Sequence, residues 1–192
     1  MDKRNIEETK KALLNAAGKL MMECSDASEV TSRAITNEAG VNLAMINYCF
    51  GSREALLFEV FSGLQDEALK CSPEFKMILN DECSPKEKLA KVHFESMKIM
   101  LKHYKYVKAL TKFILLNREI SSKRGSLRFI MEHFQGRKTE NECRLIAYEL
   151  SSIHELAILR CDEIKEICGI DLRDDESLKK YIDAHINMFL GE

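Results

Sequence analysis

Asn42, Leu43, Ala44, Asn47, Tyr48 and Arg53 lie within twelve positions of one another, and their side chains suit contact with a nucleic acid. The Asn47 carboxamide can pair with an adenine edge or touch the backbone. The Tyr48 phenol can donate to a phosphate oxygen. Arg53 sits where a first helical turn is expected, so its charge adds to an already positive helix end. That is unfavourable internally and useful where a phosphate approaches. Upstream, Thr31 and Arg33 offer a hydroxyl and a second cation.

Catalytic chemistry finds no comparable pattern. The chain contains no G-x-G-x-x-G, G-x-S-x-G or H-E-x-x-H. A di-iron bundle needs Glu-x-x-His, but Ala90, Met100, Ile130, Ser151 and Ile182 stand three residues before the five histidines. Those histidines read as polar groups at helix edges. Neither a metal nor a cofactor is expected, and no enzymatic activity.

The elements that must carry the candidate residues are short. Thr31 can cap a helix containing Ala34, Ile35 and Ala39. Gly40 follows, supplying the left-handed backbone that ends a helix in a sharp turn. Val41 is the apolar plug of that turn, and Asn42 caps a second helix over Leu43–Phe50. Leu43, Ile46 and Phe50 form its expected buried side. Gly51-Ser52 ends this helix and caps a third. Two short helices around a glycine turn form a helix-turn-helix, whose second helix presents its N-terminal residues to base edges.

The ordered run Ala34-Ile35, Glu38-Ala39-Gly40-Val41 and Ile46-Asn47-Tyr48-Cys49-Phe50-Gly51-Ser52-Arg53-Glu54-Ala55-Leu56 resembles the N-terminal domain of the TetR/AcrR family of bacterial transcriptional regulators. The likeness covers roughly residues 8 to 60, and downstream it extends only to length and helical character. Cys49 departs from the large polar residue usual there. Arg53 fills the usual phosphate-facing lysine position and keeps its charge. A Cys49 redox switch is a less favoured reading than a small half-buried side chain.

Length and composition bound the rest. The 192 residues are 45% hydrophobic and 31% charged, with two prolines and eight glycines, which suits long helices. The expected fold is all-α: a three-helix head over residues 1–55 and a helical bundle over 56–192. Net charge is −2, and residues 1–55 carry seven Lys/Arg against eight Asp/Glu, so no basic signature marks the head. Helix ends and hydroxyls can also hold phosphate, and Lys3, Arg4, Arg33 and Arg53 could share one face. Modest non-specific affinity and a shallow salt slope follow. Seven cysteines without C-x-x-C, a charged N-terminus and no long apolar run point to free thiols, the cytoplasm and no membrane span.

Besides the two short helices, helices are expected at 5–24, from Ser52 to about Cys71, from Ser84-Pro85 to Leu101, at Tyr104–Asn117, Leu127–Gly136, Thr139–Arg160 and Asp174–Leu190. The helix at 5–24 should clamp the head. The helix at 104–117, apolar almost all round, is expected at the centre of the bundle. Met97, Met100, Tyr104, Phe113, Phe129 and Phe134 read either as core or as the lining of a site for an apolar or amphipathic effector.

The resemblance implies the effector pocket. It also implies a homodimer built by the last two long helices, with Ile146, Leu150, Ile153, Ala157, Ile182, His185 and Phe189 as candidate contacts. A dimer suits double-stranded DNA, because two reading helices about 34 Å apart, or a multiple, match a palindromic operator. The function implied is a ligand-responsive regulator, a dimeric repressor. The competing reading, supported by the head's neutral charge, is a helical small-molecule or protein-interaction module without specific DNA binding.

Overall fold

The computed structural model describes residues 3–24, 27–71, 73, 77–78, 82–117 and 125–191. The described residues form ten α-helices and one 3₁₀ turn, with no strand among them, so the protein is all-α. They belong to two compact units. One comprises residues 1–66 and 105–116, the other 67–104 and 117–192.

In the first unit, α1 (Lys3–Glu23), α2 (Ser32–Ala39) and α3 (Ala44–Phe50) pack against one another. The core they share with α4 (Arg53–Cys71) is small: Leu13, Ala17, Met21, Val30, Ile35, Ile46, Leu56, Leu57 and Phe61 are buried. A Cβ placed on Gly18 of α1 would lie 3.7 Å from Val60 Cγ1, so α1 and α4 meet in ordinary van der Waals contact.

The helix α6 (Tyr104–Asn117) contributes residues 105–116 to this unit. It buries Tyr106, Val107, Leu110, Thr111 and Ile114, while Lys105, Lys108, Ala109, Lys112 and Leu116 are exposed. It is therefore not apolar all round, as its sequence suggests. The three lysines fall at helical spacing and keep one face in water. Tyr106 donates its hydroxyl proton to the Met21 carbonyl, and Lys105 Nζ donates to the Cys24 carbonyl at 2.8 Å. These contacts satisfy carbonyls that the end of α1 leaves without helical partners.

The second unit contains α5 (Pro85–Lys102), α7 (Gly125–Phe134), α8 (Glu140–Leu159), α9 (Cys161–Cys168) and α10 (Asp175–Leu190). Its starts follow local rules. Ser84 with Glu87 and Thr139 with Glu142 form capping boxes, and Asp174 accepts from the Ser177 N–H at 2.9 Å. The α5 helix stops at His103, between the helices expected to end at Leu101 and to begin at Tyr104. Packed pairs are α5 on α7, α8 and α10, α7 on α8 and α10, and α8 on α9 and α10.

At the centre of this unit His93 and His154 face each other, Nδ1 to Nδ1 at 2.8 Å. Ser126 Oγ lies 3.2 Å from His93 Nε2, and the His185 ring is 5.9 Å from that of His154. The expected helix-edge histidines at 93 and 154 are thus core residues. Burial holds His93 at about 4 and His154 at about 2, so both are neutral.

Candidate nucleic-acid interface

Local sequence builds the head as its residue types demand. Thr31 Oγ1 accepts from the Ala34 N–H at 3.1 Å, starting α2. Gly40 closes the helix in the left-handed region, at φ 65° and ψ 31°. Asn42 Oδ1 then accepts from the Ala44 N–H at 2.9 Å, and its carbonyl accepts from the Met45 N–H at 2.9 Å. Helix α3 begins at Ala44 rather than Leu43, because Asn42 folds this turn through both its side chain and its backbone. Ser52 Oγ caps α4 through the Ala55 N–H at 3.0 Å.

Of the eight residues proposed to meet DNA, Thr31, Arg33, Asn42, Leu43, Ala44, Asn47 and Tyr48 are exposed, and Arg53 is half-buried. Helix α3 is anchored by Ile46, which is buried, with Met45, Cys49 and Phe50 half-buried. Leu43 does not join the buried side expected for it. It is 47% exposed, and Tyr48 is 63% exposed, so a short helix shows two large apolar surfaces to solvent between two amides. Leu43, Ala44, Asn47 and Tyr48 are brought together as one face by helical spacing.

Charge is less favourably arranged. The Arg53 Nε is 3.3 Å from Glu54 Oε1, and this buried nitrogen makes no hydrogen bond. Lys19 is paired with Glu38 at 2.7 Å. Arg33 is exposed on α2, and the side chains of Lys3 and Arg4 lie outside the described residues. Burial pushes the Cys49 thiol up, opposed by Lys10 and reinforced by Glu7, so its neutral form is favoured. A redox role needs the thiolate, and this environment disfavours it.

The residues proposed for an effector are divided between the two units. Phe113 belongs to the first unit, its ring 5.8 Å from that of Phe58. Met97, Met100, Phe129 and Phe134 are buried core of the second unit. Tyr104 donates to the Leu159 carbonyl at 3.3 Å, with the Arg173 guanidinium 5.5 Å from its ring centre. A cavity of about 350 Å³ instead opens between α5 and α10, where Ala90, Phe94 and Ile182 form walls and Ile78 closes one side. Sequence reasoning overlooked it because its lining mixes small, charged and apolar residues. The signal available was Ala90, a small residue in the apolar stripe of an amphipathic helix.

Among the proposed dimer contacts, Ile146, Leu150, Ala157 and Ile182 are buried within the second unit, which leaves them no surface for another chain. Ile153, His185 and Phe189 are half-buried. The apolar side chains that α8, α9 and α10 leave in solvent are Leu145, Leu156, Ile167 and Met188. Ile153, Leu156, Ile164, Ile167 and Tyr181 line a shallow groove of about 310 Å³ there.

No protein-family model matches the chain, and no curated protein matches it. Among solved structures, a TetR-like transcriptional regulator from Rhodococcus sp. RHA1 is similar at 18% sequence identity and a TM-score of 0.47, with 96% of this chain and 97% of the other covered.

Proposed function

We propose that the protein is a sequence-specific DNA-binding regulator of the TetR/AcrR type, acting as a cytoplasmic dimeric repressor that a small-molecule effector releases from a palindromic operator. Residues 1–55 would read DNA, and residues 56–192 would bind the effector and the second subunit. One observation carries this reading. After a left-handed glycine turn, α3 buries Ile46, half-buries Met45, Cys49 and Phe50, and with the preceding Leu43 turns Ala44, Asn47 and Tyr48 to solvent together. A helix with no further partner would gain nothing from exposing Leu43 and Tyr48. A major groove offers thymine methyls to the first, phosphates to the second and adenine edges to Asn47.

The exposed Leu145, Leu156, Ile167 and Met188 support the second subunit, since a two-fold partner would bury them. Effector control then requires only that the ligand bind better to a conformer whose two reading helices are wrongly spaced. The paired Arg53 and Lys19 favour the other reading, a binding module without specific DNA affinity, because two of the head's cations already have a carboxylate partner.

Selection from randomised duplex DNA at two salt concentrations separates the two. The expected result is an enriched palindrome, with Tyr48→Ala and Arg53→Ala weakening binding to all sequences and Asn47→Ala relaxing preference at one base. Enrichment of nothing at low salt would leave the binding-module reading in place.

A further inference from the structure

The cavity between α5 and α10 has an apolar interior and a charged mouth. Ala90, Phe94, Ile182 and Ile78 make the interior. At about 350 Å³ it holds on the order of a dozen non-hydrogen atoms, taking the liquid-water share of about 30 Å³ each. Four charged residues stand at its edge. Lys91 and Glu95 of α5 already have partners of their own, Lys91 reaching Cys83 Sγ at 3.7 Å. Lys179 and Asp183, one turn apart on α10, have no ion pair or hydrogen bond among the described residues. Nearby on that helix, Lys180 does pair with Glu176 at 2.7 Å. A cation and an anion of opposite sign therefore flank an apolar hole without satisfying each other.

We infer that this cavity binds a small amphiphile with a compact zwitterionic head and an apolar tail. The tail would enter between Ala90 and Ile182, its anionic group would meet Lys179, and its ammonium would meet Asp183. A purely anionic head would be attracted by Lys179 and repelled by Asp183, and a cationic head the reverse. Only a dipolar head gains from both. Calling this ligand the effector rests on the regulator reading; the binding site itself does not.

Four eight-carbon probes test the proposal by isothermal titration calorimetry on the full chain: 2-aminooctanoic acid, octanoate, octylammonium and 1-octanol. The zwitterion is expected to bind about tenfold more tightly than either singly charged probe, the worth of one charge-assisted contact. Asp183→Asn should move the preference to octanoate, and Lys179→Gln to octylammonium. Ala90→Phe should fill the cavity and abolish binding of all four.

Equal affinities for the four probes, an order unchanged by the α10 variants, or full binding by a folded Ala90→Phe protein would overturn the proposal. The α10 variants lie at the surface and decide the matter even where Ala90→Phe does not fold. These titrations contain no DNA. Failure to select an operator therefore leaves their result standing, and failure to bind any probe leaves the reading head untouched. Adding 2-aminooctanoic acid to the selected operator complex then shows whether occupancy releases DNA.

Discussion

The two units depart from simple hydrophobic patterning in opposite directions. The first unit leaves apolar side chains in water, with Leu43 at 47% exposure in the turn before α3 and Tyr48 at 63% on that seven-residue helix. The bundle takes polar rings out of water, with His93 and His154 bonded to each other at 2.8 Å in its core. The first departure costs little stability and leaves a surface ready for another molecule. The second costs solvation, which the mutual hydrogen bond and Ser126 only partly return, since His154 Nε2 has no partner. The first unit thus leaves apolar area open at its surface, whereas the two histidines can bond only when α5 and α8 meet in one register.

The sharpest way to break the contrast is within α3 itself. Ile46→Ala removes the helix's buried anchor and should cost about 2–5 kcal/mol, melting the head and abolishing DNA binding together. Tyr48→Ala, two residues away, should leave the thermal midpoint within a degree or two while weakening DNA binding. Calorimetric melts beside gel shifts separate the two effects. Equal loss of stability in both variants would show that Tyr48 is structural.

Acid should next distinguish the bundle. Burial holds the folded-state value of His93 at about 4 and of His154 at about 2, the latter further lowered by His93 and His185, against about 6.5 for an exposed imidazole. The unfolded chain takes up protons below pH 6.5 and the folded chain does not. Stability is therefore complete above that pH and declines as pH falls toward 4. About 2 kcal/mol per histidine should be lost between pH 7 and pH 5. Melts at the two pH values, compared with a His93→Leu/His154→Leu double variant, read this directly. A wild-type loss no larger than that of the double variant would refute it.

Two glycines give the smaller effects, of opposite sign. Gly40 sits at φ 65°, with nothing near where a Cβ would lie, so Gly40→Ala should destabilise the head by about 1–2 kcal/mol through backbone conformation alone. Gly18 lies inside α1, where a methyl group would meet Val60 Cγ1 at 3.7 Å without a clash. Gly18→Ala should raise stability by about 0.5–1 kcal/mol, visible as a higher denaturant midpoint. A lower midpoint would mean that α1 and α4 approach more closely in solution.

The head was legible because its signals are local. Thr31, Gly40, Asn42 and Ser52 each act on backbone groups within three or four residues, so residue type and spacing nearly suffice. The one slip, Leu43, arose where the turn delays the helix by a residue and rotates that side chain outward. The bundle was legible only as a set of helices. Met97, Met100, Phe129 and Phe134 suit a pocket and a core equally well, and α6 looked central until its lysines were seen to occupy one face.

Sequence alone determined the all-α class, the order of the long helices and the caps at Thr31, Ser52, Ser84 and Thr139, because hydrogen bonds and helical periodicity act over one or two turns. Tertiary structure decided which apolar stripe of α8 and α10 turns inward, that His93 and His154 meet, and that the open volume lies beside Ala90 and Ile182. These depend on which helices become neighbours. That choice is set by the packing of side chains more than fifty positions apart, which no local pattern encodes.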